Sequence, residues 1–103
     1  MNQVSRNKND LISELSPHIF WNCDSNILDY KKNKDIIIER IIKYGLESDI
    51  IIMWKLYNRR EIIKTAVNID MLDQKRMLYY SLMLGIKEKK FKCYRKNLFQ
   101  VNY

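Results

Sequence analysis

Apolar residues recur at helical intervals over most of the chain. Ile37, Ile38, Ile41 and Ile42 repeat every three or four positions, with Glu39 and Lys43 spaced i,i+4 on the other side. This spacing predicts a helix that starts at Asn33 or Lys34 and runs to Tyr44. Ile36-Ile37-Ile38 alone has strand character, but the length and the charge pair favour a helix. Gly45 sits where a left-handed residue past a helix end belongs, with Leu46 folding back onto Ile41. A second helix opens at Glu47 or Ser48 and reaches about Tyr57. Its Ile50, Ile51, Ile52, Met53, Trp54 and Leu56 are apolar nearly all round, which predicts a central helix covered on several sides. Asn58-Arg59-Arg60-Glu61 has the form of a capping box and opens a third helix carrying Ile62, Ile63, Ala66 and Val67. After a loop over 68–72, Asp73 caps a fourth helix whose expected inner face is Met77, Leu78, Ser81 and Leu82. Gly85 ends it, and Ile86 folds back.

The remaining segments are less regular. Residues 1–9 are polar and expected to fray. Asp10 caps a short turn with Leu11, Ile12 and Leu15, and Asp24 or Ser25 caps another with Ile27 and Leu28. Residues 87–91 form one last turn. The expected fold class is all-α: a compact, irregular bundle of four main helices plus short helical turns. The expected organisation is a flexible tail over 1–9, a single helical domain over 10–93 and a basic-aromatic tail over 94–103.

Composition agrees with this pattern. A chain of 103 residues fits one domain with one modest core. Two glycines and one proline are too few for the turns of an all-β fold. The longest apolar run, from Ile50 to Trp54, falls far short of the roughly 20 residues that span a bilayer. The first 14 residues lack the apolar stretch of a signal peptide, so the expected location is the cytoplasm. Cys23 and Cys93 are expected to be reduced thiols. His18 is the only histidine and there is no CxxC, so neither a metal nor a cofactor is expected.

Charge narrows the field. The net charge is +7. Lys87, Lys89, Lys90, Lys92, Arg95 and Lys96 stand against Glu88 alone, which places +5 within 87–96 and leaves +2 in residues 1–86. The acids occupy cap or solvent-face positions, there is no glycine-rich phosphate loop and no GxSxG, and the lone histidine lacks a partner nucleophile. An enzyme is not expected.

Three features carry candidate binding chemistry. Phe20, Trp21, Trp54 and Tyr57, with Tyr79 and Tyr80, read either as core or as anchors of a partner groove. The basic set Lys87, Lys89, Lys90, Lys92, Arg95 and Lys96 interleaves with Phe91, Tyr94, Phe99 and Tyr103 and reads either as a solvated tail or as a site for phosphates and bases, or for an acidic protein. The third and fourth helices also read as a helix-turn-helix presenting Gln74, Lys75, Arg76 and Tyr80 to a major groove, although the 68–72 loop is long for that motif.

Several blocks resemble one known family. His18-Ile19-Phe20-Trp21-Asn22-Cys23-Asp24 resembles its "HLFWDVD" opening, and Ile36-Ile37-Ile38-Glu39-Arg40-Ile41-Ile42-Lys43-Tyr44-Gly45 resembles "FIIERVLERG". The segment from Leu56 to Lys64 is similar to "YYG-E-IK", that from Leu72 to Ile86 to "LDPKT-NFWSLLLGI", and Phe91-Lys92-Cys93 to "FRC". Asn22 and Asn58 depart from the family's usual Asp and Gly. The family is a bacterial domain of unknown function, whose members are antitoxin-like and often encoded beside a nucleotidyltransferase-type abortive-infection toxin. The resemblance implies a bacterial cytoplasmic protein that binds and silences a toxin, with no catalytic or metal residues to carry over. The expected function is therefore a non-enzymatic protein-interaction module, an antitoxin-like partner of a bacterial toxin. The runner-up is a nucleic-acid-binding regulator, and a third class is a subunit that self-associates through Trp54 or Trp21.

Overall fold

The computed structural model describes residues 8–20, 28–96 and 99–100. Trp21, Cys23, the cap expected at Asp24 or Ser25, the tail up to residue 7 and Tyr103 lie outside the described residues. The chain divides into two units, residues 1–56 and 57–103. The described secondary structure is helical apart from one short strand pair, and the all-α class holds. No helix among the described residues is long and apolar enough to cross a membrane.

The first unit contains α1 (Lys8–Ile12), a 3₁₀ turn (Pro17–Phe20), α2 (Lys34–Tyr44) and α3 (Glu47–Leu56). Helix α2 packs on α3 and on the 3₁₀ turn, and α1 packs on α3. Ile37, Ile38, Ile41 and Ile42 are all buried, as their spacing predicts. Lys43 reaches Glu39 at 4.0 Å across the other side. The turn before α2 is held by the Asp29 carboxylate, which accepts from the amides of Lys31 and Lys32 at 3.0 and 2.9 Å. The Lys32 amide, then the Asn9 amide at 3.0 Å, hold this carboxyl below its ordinary value against the opposing effect of desolvation. Asn9, expected in the frayed tail, thus belongs to α1 and ties it to this turn.

Two expectations for this unit are corrected. Gly45 is extended, with φ −70° and ψ 151°, rather than left-handed. It is glycine because of close approach: a Cβ there would sit 2.5 Å from the Ile41 carbonyl oxygen. Leu46 consequently points outward instead of folding back. Helix α3 is covered on one side only. Ile52, Met53 and Leu56 are buried, while Ile51 and Trp54 are exposed. An apolar circumference says how much a helix can bury and not how many neighbours arrive to bury it.

The second unit contains α4 (Arg59–Asn68), β1 (Leu72–Asp73), α5 (Gln74–Leu84), a 3₁₀ turn (Glu88–Lys90), α6 (Lys92–Arg95) and β2 (Phe99–Gln100). The capping box forms: Asn58 Oδ1 accepts from the Glu61 amide at 2.9 Å and Glu61 Oε1 accepts from the Asn58 amide at 3.0 Å. Asp73 caps α5 by accepting from the Arg76 amide at 3.2 Å. Gly85 is left-handed, with φ 68°. The Ile86 amide turns back to the Ser81 carbonyl at 3.1 Å. Helix α4 packs on α5 and α6, and the Glu88–Lys90 turn packs on both α5 and α6.

The inner face of α5 is also corrected. Met77, Tyr80, Ser81 and Leu84 are buried, whereas Leu78 and Leu82 are exposed. Each helical step rotates by about 100°, so 77/81 and 78/82 cannot both face the centre of one side. The bulk of Tyr80 and Leu84 lies with the first pair. Beyond residue 91, expected to be near the end of ordered structure, the chain forms α6 and then pairs in parallel with β1, Leu72 opposite Phe99 and Asp73 opposite Gln100. Strands of two residues are too short to leave a period-2 signal.

Candidate functional site

In the first unit a cluster of hydrogen bonds fastens the segment that opens the family-like blocks. Asp49, in the first turn of α3, is fully buried. Its Oδ1 accepts from the Ser16 amide at 2.8 Å and the Ser16 hydroxyl at 3.1 Å. Its Oδ2 accepts from the Leu46 amide at 2.8 Å. Burial by itself would raise this carboxyl, but the bonds from Leu46 and Ser16, with the nearby His18, outweigh it and hold it below the ordinary carboxylate value. His18 Nε2 donates to the Tyr44 carbonyl at 2.7 Å, and Arg40 donates to the Ile19 carbonyl at 3.1 Å. Residues 16–19 are thus held from α2 and α3. This arrangement orders backbone, and both oxygens of its acid accept from donors within the unit. Sequence reasoning missed Asp49 because an acid in a first turn reads as an ordinary cap.

The residues singled out for binding separate into two groups. Phe20 and Tyr57 are buried and present no surface to a partner, while Trp54 is 37% exposed beside Ile51. Among the basic residues, Lys92 is ion-paired with Asp70. Arg95 donates to the Lys90 carbonyl at 2.8 Å, which closes the 3₁₀ turn. Lys87, Lys89, Lys90 and Lys96 are exposed. Of the groove-reading set, Tyr80 is buried and Gln74 and Lys75 are exposed. Cys93 is a buried free thiol whose pKa is raised by desolvation.

The outward face of α5 is the candidate site. Lys75, Leu78, Tyr79 and Leu82 fall at i, i+3, i+4 and i+7, a single helical row. Leu78 is 37% exposed, Tyr79 46% and Leu82 85%. Tyr79 is braced edge-on against the buried Tyr80, with ring centroids 5.1 Å apart. Helix α5 therefore carries two apolar rows: one buried in its unit, one open. The spacing alone shows this row but not that its leucines face outward.

The unit that carries this row is strongly basic. Residues 57–103 hold eleven Lys and Arg against four Asp and Glu, while residues 1–56 hold eight of each. The whole net charge of +7 therefore lies in the unit that carries α5. Three of its four acids are engaged internally: Glu61 and Asp73 as caps, Asp70 with Lys92.

The profile of a family of unknown function (DUF6922) matches residues 15–66. This span covers the fastened segment, α2, α3 and most of α4, and stops before α5. No curated protein and no solved structure matches the chain.

Proposed function

The chain belongs to the family of unknown function DUF6922, and on that premise we propose that it is a protein-interaction module without enzymatic activity, an antitoxin-like partner of a bacterial toxin in the cytoplasm. The observation that carries this reading is the open row Leu78, Tyr79 and Leu82 on α5. Covering one leucine side chain is worth about 1.5–3 kcal/mol, and contiguous exposed apolar groups mark surfaces that are covered in a complex. A nucleotidyltransferase-type toxin is the partner that the resemblance of His18–Asp24 and Ile36–Gly45 to the antitoxin-like family implies. The test is co-expression of the tagged chain with the product of the adjacent gene. Co-purification through gel filtration and relief of growth arrest are expected. Absence of both would overturn the reading.

A second reading, nucleic-acid binding, is favoured by the exposed Lys87, Lys89, Lys90 and Lys96. Four phosphate contacts would give log K a slope against log salt of about −3.6. The apolar centre of the α5 row fits a protein better, because leucines offer nothing to phosphates and read base edges poorly.

A further inference from the structure

We propose that the α5 row Lys75, Leu78, Tyr79 and Leu82 docks an acidic amphipathic helix of a protein partner. The inference rests on the protein-partner reading and specifies the chemistry of what that partner presents. Three observations select this occupant.

The first is shape. Four residues at i, i+3, i+4 and i+7 form a strip that runs along α5, and the complement of such a strip is the apolar stripe of a second helix laid along it. Leu82 supplies the most open apolar group, and Tyr79 is a rigid aromatic whose ring is already braced.

The second is charge. Lys75 stands in the row itself, and Lys87, Lys89 and Lys90 follow closely after the α5 C-terminal cap on a turn that packs against α5. Acids flanking the partner's apolar stripe would meet these cations, and basic flanks would be repelled.

The third weighs against a second copy of this chain. Two copies meeting through α5 would bring together two units of net charge +7 each. That repulsion opposes the association that an uncharged leucine strip would otherwise favour.

The test uses the full chain and a designed helical peptide with leucines at i, i+3, i+4 and i+7 and glutamates on both flanks. A peptide with lysine for every glutamate and a duplex DNA serve as comparisons. Fluorescence anisotropy is expected to show saturable binding of the glutamate peptide, none of the lysine peptide, and no displacement by the duplex. L78S/L82S should weaken binding by about tenfold or more. K75E should weaken it and flatten its dependence on salt. Circular dichroism checks that both variants keep their helix content.

The assignment is overturned if the glutamate peptide does not bind, if it binds L78S/L82S as tightly as the parent chain, or if both peptides bind alike. Displacement by duplex DNA would transfer the face to nucleic acid. A dimer abolished by L78S/L82S would transfer it to a second copy. If the adjacent gene's product co-purifies equally with L78S/L82S, the protein-partner reading survives and this assignment alone falls.

Discussion

Asp49 shows how one side chain can organise a segment distant in sequence. Its two oxygens take three donors, and all three are orphaned if it is lost. Asp49→Asn removes the charge and half the acceptor capacity, and should cost about 2 kcal/mol in urea unfolding. The pH dependence follows from the lowered pKa. The unfolded chain binds a proton near the ordinary value of 3.8, and the folded chain binds it only at lower pH. Stability from this group is therefore present above about pH 4 and is lost as pH falls through the folded value. Urea midpoints measured between neutral and acid pH should fall less steeply in Asp49→Asn than in the parent chain. The two glycines separate two physical causes. Gly85→Ala forces a left-handed alanine and should cost about 1–2 kcal/mol. Gly45→Ala has an ordinary φ but drives a Cβ against the Ile41 carbonyl, so thermal melts should show the larger loss there.

At the scale of elements, α4 and α5 are joined by a charged side chain. Arg59, at the start of α4, donates to the Leu84 carbonyl at the end of α5. Arg59→Ala leaves that carbonyl without this donor. It should lower stability by about 1–3 kcal/mol, with reduced hydrogen-exchange protection in the last turn of α5. Elements governed by local chemistry were the legible ones. The period of Ile37 to Ile42, the Asn58 capping box, the Asp73 cap and the Gly85 stop all lie within a few residues of what they specify. Features governed by distant partners were not legible. Asp49 reads as a cap until Ser16 comes to it from 33 positions away. Leu78 and Leu82 are as apolar as Met77, and only the packing of α4, β1 and the Glu88–Lys90 turn against α5 decides which row is inside. The candidate site was therefore half visible: its residues and spacing could be read, its direction could not. Phe20 and Tyr57 failed as surface anchors for the matching reason, since large aromatics serve cores and interfaces equally well.

For the molecule as a whole, the partition of charge is the dominant property. One unit is neutral and the other carries +7. Retention on a heparin column should therefore drop more for K89E/K90E than for K31E/K32E, read as the salt concentration at elution. Reversing Lys31 and Lys32 leaves the +7 of the basic unit intact, whereas reversing Lys89 and Lys90 lowers it by four, to +3. The uncovered Leu82 in the basic unit has a colloidal consequence. In dilute buffer, mutual repulsion keeps such oily strips apart and concentrated samples stay clear. At about 0.1 M salt the field shrinks to roughly 10 Å, and turbidity should rise with added sodium chloride, the reverse of ordinary salting-in. L78S/L82S should remain transparent across the same range.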